Sequence, residues 1–381
     1  MKCDKLINCL YLCFYILLML NSIISCSFQF SLFSKLNSEY KDNNLIISPL
    51  SIYQAISLVT NGANGETQKE LLYLLDNKEI EEINLINKNI INIVEENSSF
   101  EIANAIMSRL VPLNEFTNIA KDNYYSEILP LKNVNQVNKW CEKKTHGKIN
   151  KIIEKLDPST FMIILNAVYF KGQWVHQFEE GLTTKQIFNN INNEQKRVDM
   201  MQTSEYFKYF EDSNLQSIEL PFIKNSISAL IILPNEKLNI NEFIEILNKD
   251  NEYFYSIINN MENSKVHLKL PKFELNYSKS LKDILKTMGV KLAFGNKADF
   301  SKIRSQSDLY ISEIIHKTYL KVNEQGTEAA AITLISLDEA AMMEEKIINM
   351  NVNRPFLFIL RRKLFPKNHD IIFISKIGEI N

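Results

Sequence analysis

The side chains best suited to proton transfer or metal binding are thinly spread along this chain. Its five histidines are His146, His176, His267, His316 and His369, and no two stand at the spacing of a metal-ligand pair. The chain has no GxSxG nucleophile elbow, no phosphate-binding glycine loop, no HExxH and no GxGxxG. Carboxylates are plentiful, but no pair stands apart as acid and base. Spacing leaves open a Ser-His-Asp set assembled only by the fold, and with it a secreted hydrolase that turns over small esters. One stretch is unusual in another way. Residues 323–343 read NEQGTEAAAITLISLDEAAMM, a glycine and then small and apolar residues, with acids only near the ends. Its Ala, Glu, Leu and Met favour a helix, while Ile332, Thr333 and Ile335 favour a strand. On composition alone, a surface helix over 328–343 is the better reading.

The elements that must hold this stretch belong to a chain of 381 residues. It is 45% hydrophobic and 23% charged, the balance of a soluble globular protein. Length alone would allow more than one average domain. A net charge of −2 gives no reason to expect nucleic acid or an anionic membrane as partner. At the amino terminus, Lys2 and Lys5 precede the apolar run CLYLCFYILLML and then SIISCS. This is the layout of a signal peptide, and the run is shorter than the roughly 20 residues of a membrane span. Cleavage is expected near Ser27, giving a signal peptide over 1–27 and a single domain over 28–381. An uncleaved anchor is the alternative, and IISC also resembles a bacterial lipobox that would leave Cys26 lipidated.

Loss of the leader removes Lys2, Lys5 and Asp4, which moves the net charge from −2 to −3. Cys3, Cys9, Cys13 and Cys26 leave as well, and of the five cysteines only Cys141 is kept. A secreted product of this kind has no internal disulfide and relies on its core. Cys141 follows Trp140 in an amphipathic pattern, which predicts a buried, inert thiol.

Helical periodicity dominates early, in SIYQAISLVTNGA, ETQKELLYLLDN, EIEEINLINKNIINIVEEN and NQVNKWCEKKTHGKINKII. Strands are predicted over FEIANAIMSRL, FMIILNAVYF, SISALIILP, KVHLKLPKFEL, LYISEIIHKTYLKV, RPFLFILRR and DIIFISKI. Strands and helices intermix without regular βαβ alternation, so the expected class is α+β. No repeat, linker or Pro/Gly-rich boundary divides the chain. The sequons Asn97-Ser-Ser and Asn276-Tyr-Ser carry little weight in so Asn-rich a sequence.

Five segments then converge on one family. NLIISPLSIYQAISLVTNGANGETQKEL (44–71), NAVYFKGQW (166–174), LKLPKFEL (268–275), HKTYLKVNEQGTEAAAIT (316–333) and RPFLFILR (354–361) resemble the serpins, in serpin order and spacing. Weaker matches, VNKWCEKKTHGKI, IELPF, TMGVKLAF and ADFS, fill the gaps, so the likeness covers nearly everything from about Phe28. It implies an α+β serpin fold of three β-sheets with eight or nine helices and an exposed reactive-centre loop, about residues 324–349. It also implies a protease inhibitor rather than an enzyme, needing no metal or cofactor. A target serine protease attacks the loop as substrate and forms a covalent acyl complex. The cut loop then enters the largest sheet as a new strand.

By position, the hinge is Glu324, Gln325, Gly326, Thr327, Glu328, Ala329, Ala330 and Ala331. Ser48, Ser51, Asn166 and His316 match the shutter beneath the central strands, and Trp174, Lys272 and Glu324 match the breach, where Lys272 and Glu324 would pair. Counting forward from Gly326 puts the reactive bond at Ala340–Ala341. Counting back from Pro355 moves it toward Met342, Met343 or Glu344. No Arg or Lys lies between Gly326 and Glu345, so an elastase- or chymotrypsin-like protease is the expected partner. The acidic 79–97 segment offers no evident heparin site, and a monomer is expected. Ser375 stands where the family usually has glycine, KIGEIN lacks the common Asn-Pro ending, and Ile332 is bulkier than the usual hinge alanine.

An inserted strand presents alternate residues to the core. Counted from Thr327, the inward face is Thr327, Ala329, Ala331, Thr333, Ile335 and Leu337, none of them charged. The opposite face is Glu328, Ala330, Ile332, Leu334, Ser336 and Asp338, whose acids solvent or a covering helix would accept. The rival expectations are a non-inhibitory carrier, chaperone or storage member of the family, and an inhibitor of papain-like cysteine proteases.

Overall fold

A computed structural model describes residues 27–95, 100–223, 226–306, 309–327 and 346–380. Among them are nine α-helices and three sheets, in an α+β arrangement. The helices are α1 (Phe28–Glu39), α2 (Pro49–Gly62), α3 (Gly65–Leu74), α4 (Ile80–Glu95), α5 (Asn114–Tyr124), α6 (Val134–Lys144), α7 (Ile240–Lys249), α8 (Asn251–Asn259) and α9 (Lys282–Thr287). Helix α2 begins at Pro49, two residues before the run predicted from Ser51. Pro49 occupies its first turn, and Ser48 caps it by accepting the Ser51 N–H. All of its residues are buried, so it runs through the core rather than over it.

The sheet that matters for function has five strands. In spatial order they are β11 (Phe273–Ser280), β12 (Glu313–Val322), β4 (Met162–Phe170), β2 (Phe100–Ser108) and β3 (Glu127–Pro130). Its central neighbours β12 and β4 run parallel, with His316 level with Asn166 and Tyr319 level with Tyr169. Their hydrogen-bonded boundary is called the seam below. Residues of β4 alternate between two cores. Met162, Ile164, Val168 and Phe170 face the main core around α2. Ile163, Leu165 and Ala167 face a second cluster with Val137, Trp140 and Cys141 of α6.

A nine-stranded sheet carries most of the other strands. It contains β1 (Leu45–Ile47), β6 (Thr184–Asn189), β7 (Gln195–Glu211), β8 (Leu215–Pro221) and β9 (Ile227–Pro234). It also contains β10 (Glu262–Pro271), β14 (Ile348–Asn351), β15 (Phe356–Arg362) and β16 (Ile371–Ile377). The third sheet is only the pair β5 (Gly172–Gln173) and β13 (Gly326–Thr327). On β16, Ser375 is fully buried, and its hydroxyl has no hydrogen-bond partner.

Three expectations differ from the structure. The helix predicted through residue 153 ends at Lys144, because His146 (φ 50°) and Gly147 (φ 77°) are left-handed and reverse the chain. The single strand predicted over KVHLKLPKFEL is two strands in two sheets. They are divided at Lys272, beside Pro271, which has no N–H to give a ladder. The strand predicted from Leu309 begins only at Glu313. Cys141 behaves as expected: it is fully buried on α6, and burial pushes its thiol up to about 12.

Candidate functional site

The residues singled out by sequence meet at two places along the seam. Halfway down, four of them form one buried network. His316 projects from β12 toward α2, and its Nε2 accepts the Ser48 backbone N–H at 3.1 Å. Its Nδ1 donates to Asn166 Oδ1 on β4 at 2.5 Å. The Asn166 amide nitrogen bonds the Ser51 carbonyl at 3.0 Å and also meets the Ser51 hydroxyl. A fifth member was missed by sequence reading. Asn104 of β2 accepts from Asn166 at 2.5 Å, and its only sequence signal was an asparagine in a strand pattern level with Asn166.

This network ties three strands to one helix. An imidazole with both nitrogens engaged, fully buried and without a carboxylate partner, is not a general base. The hydrolase alternative through His316 therefore finds no support here. Burial drives the His316 pKa from 6.5 down to about 3, so the neutral ring is the folded form. Its contribution is fully present above pH 6.5 and is lost progressively as pH falls toward 3. At pH 5 the cost is about 2 kcal/mol. Stability is therefore expected to fall between pH 7 and 5. His316→Gln should be less stable at pH 7 but have the shallower acid slope. Equal slopes in pH-resolved thermal melts would contradict this.

The second place is the top of the seam. After β12 the chain reverses in a tight hairpin, with the Asn323 N–H bonding Gly326 O at 2.9 Å and the Gly326 N–H bonding Asn323 O at 3.2 Å. Gly326 then pairs with Gln173, and Thr327 with Gly172, antiparallel. Gly326 has φ 138°, and a Cβ there would lie 2.0 Å from Gly172 O, so only glycine can make this approach. Thr327 is fully buried, and its hydroxyl accepts the Gly172 N–H at 2.9 Å. Gly326 and Thr327 thus lie paired beside Gly172 and Gln173 at the top of the seam.

Trp174 braces this turn. It is 1% exposed, lies stacked on Phe222 at 4.2 Å and donates through Nε1 to Asn323 O at 3.0 Å. Its backbone N–H bonds Gln325 O at 3.0 Å. Lys272 Nζ and Glu324 Oε1 are 2.9 Å apart. Thr183, absent from the sequence reading, donates to the same oxygen at 2.8 Å. Burial pushes the Glu324 carboxyl up. Hydrogen bonds from Lys272, its own backbone N–H and Thr183 outweigh that, and the group lies below the usual carboxylate range.

Glu324, Gln325, Gly326 and Thr327 are therefore placed with Trp174 and Lys272. Glu328, Ala329, Ala330 and Ala331, and Ala340, Ala341, Met342, Met343 and Glu344 at the reactive bond, lie outside the described residues. At the far end, Ile348 and Asn349 are already in β14, paired with β10.

Comparison with known proteins agrees with this architecture. A family model described as Serpin (serine protease inhibitor) matches residues 24–379. The chain is 33% identical to Iripin-5 of Ixodes ricinus over 89% of its own length and 90% of that protein. It is 32% identical to a leukocyte elastase inhibitor of Xenopus laevis, over 88% of this chain and 93% of that one. Among solved structures, the thermophilic serpin tengpin in its native state superposes with a TM-score of 0.83. That match has 30% identity and covers 93% of both chains.

Proposed function

The chain belongs to the serpin family, whose members are generally protease inhibitors, and from that premise we propose that it is itself a secreted inhibitory serpin that traps serine proteases irreversibly. The observation that carries this reading is the Gly326–Thr327 pair already seated beside Gly172–Gln173. It is the first rung of a strand whose remaining residues follow in the sequence.

Topology supports the step. The chain leaves β12 by a hairpin, so a strand built from it runs antiparallel to β12. Because β4 is parallel to β12, the new strand is antiparallel to β4 as well. Parting the seam by one strand spacing, about 4.8 Å, makes room for it. Continued downward, the register Thr327–Gly172 puts Ala329 level with Phe170 and Ala331 level with Val168. It puts Thr333 level with the polar Asn166–His316 layer, and Ile335 between Ile164 and Ile314. Small residues meet a large one, the hydroxyl meets the amide and imidazole, and the apolar residue meets apolar walls.

In the trapping reaction, the protease's serine attacks the Ala340 carbonyl. The Ala341 amine leaves, and an ester joins protease to inhibitor. Insertion of residues 328–338 then drags the protease to the foot of the sheet before water cleaves the ester. Ala340, or Met342 or Met343 in the alternative registers, suits a small or apolar specificity pocket. The similarity to a protein named leukocyte elastase inhibitor supports the same class. The leader over 1–27 supports secretion, and α1 begins directly after it at Phe28.

Incubation with an elastase- or chymotrypsin-like protease is expected to give an SDS-resistant complex and to release a peptide starting at Ala341 by mass spectrometry. Complete cleavage without complex would favour a non-inhibitory carrier or storage role. A stable complex only with a papain-like protease would move the target to that class.

A further inference from the structure

Away from the seam, a cavity of about 280 Å³ lies where three connections meet. They are the hairpin between β6 and β7, the turn from β9 into α7, and the link from β14 to β15. None of the residues of the buried network or the hinge lines it, and all of its walls are described residues. Drug-sized pockets run from roughly 300 Å³ upward, so the occupant that fits this one is small.

Two opposite charges line the cavity and stand apart. Arg354 Nε donates to Pro234 O at 3.0 Å and Nη1 to Asn353 Oδ1 at 3.4 Å. This fixes the guanidinium and leaves Nη2 without a partner among the described residues. Burial pushes the Arg354 pKa down and the charge of Glu236 pulls it up, so the two groups sense each other. Both belong to the cavity wall, yet no ion pair joins them.

Two asparagines add donors. Asn190 is 4% exposed and spends Oδ1 on the Ile380 N–H at 3.1 Å. Asn239 spends Oδ1 on the Asn241 N–H at 2.8 Å, as the cap of α7. Each keeps an amide nitrogen with no partner among the described residues, and both line the cavity. A donor so enclosed is matched by an acceptor rather than left bare. The start of α7 lies in the same wall, and its dipole favours a negative group there. Ile191 and Leu238 supply an apolar side.

A plain anion would meet Glu236, and a plain cation would meet Arg354. A neutral sugar would leave both charges unpaired. A zwitterion satisfies both at once. We propose that this cavity binds a free aliphatic α-amino acid, its carboxylate held by Arg354 with the Asn190 and Asn239 amides, its ammonium by Glu236, and its side chain against Ile191 and Leu238. The site is independent of the inhibitory reading and of the residues that follow Thr327. An occupant would tie together three connections that are otherwise held by a few backbone contacts, such as Asn189 N–H to Asn353 O at 2.8 Å.

The test is calorimetric titration of the full chain with L-leucine, with N-acetyl-L-leucine and L-leucinamide as analogues that each lack one charge. L-leucine is expected to bind one to one and to raise Tm by about 3 °C at a hundredfold excess over Kd. Each analogue should bind at least about tenfold more weakly, the worth of one charged hydrogen bond. Glu236→Gln should weaken L-leucine by a similar factor and abolish its advantage over N-acetyl-L-leucine. Asn239→Asp keeps the capping oxygen of α7 and exchanges the donor for an acceptor, so it should weaken L-leucine several-fold while the empty protein melts near the parent. An N-acetyl-L-leucine or L-leucinamide that binds as tightly as L-leucine would make this an ordinary anion or cation site and overturn the proposal. So would an affinity unchanged by Glu236→Gln, or no saturable binding of L-leucine up to about 10 mM.

Discussion

Cutting the chain between residues 338 and 345 is expected to raise its melting temperature, by about 10 °C or more. An ordinary nick loosens a fold by adding chain ends. In the proposed insertion it frees the residues that follow Gly326–Thr327, the pair that already lies beside Gly172–Gln173. Burying Ile335 and Leu337 against Ile164, Ile314 and Met162 contributes about 1.5–3 kcal/mol each. Each new ladder hydrogen bond adds about 1 kcal/mol net. Ordering the segment costs a large part of this. A surplus of about 8 kcal/mol suffices, since a chain of this size gains about 1.3 °C per kcal/mol. Calorimetry on intact and nicked protein checks it, with mass spectrometry to locate the cut. A nicked form melting at or below the intact one would mean that the intact fold is already at its lowest free energy.

The largest effect on activity is expected from Thr327→Arg. Thr327 is fully buried, and its hydroxyl takes the Gly172 N–H at 2.9 Å. A guanidinium there must be desolvated without a partner, at a cost of several kcal/mol. Trapping is a race between insertion and hydrolysis of the acyl ester. Raising the insertion barrier by only about 3 kcal/mol slows it more than a hundredfold. The variant should be cut as fast as the parent, yet need more than about ten molecules per protease inactivated, with little SDS-resistant complex. Thr327→Ser, which keeps the hydroxyl, should stay near the parent. The intact arginine variant also loses the Gly172 rung, so its melting point should drop by a few degrees. A Thr327→Arg protein that traps protease at the parent's stoichiometry would show that this residue need not enter the sheet.

Much of the fold was legible in the chain. The apolar run FMIILNAVYF reads as a strand, and it forms β4, which proves buried at every position. The run SIYQAISLVTNGA reads as a helix and forms most of α2, while its burial on every side was not read from the sequence. The site was legible only through motif order. Ser48, Asn166 and His316 stand far apart in sequence, and no local periodicity says that they touch. Asn104 joins Asn166, and Thr183 joins Glu324, unannounced, because their partners are set by strand register and by a loop crossing.

By itself the sequence determined the alternation of small, polar and apolar residues after Gly326, the absence of charge on one face, and the glycine that the hinge requires. These are local properties, carried by side-chain type and spacing. Only the tertiary structure decided that β4 and β12 are parallel neighbours, that Thr327 pairs with Gly172, and that the outward residues of β4 pack beneath α6 rather than face water. Those outcomes depend on which distant strands pair and in what register, and a one-residue slip would exchange the two faces.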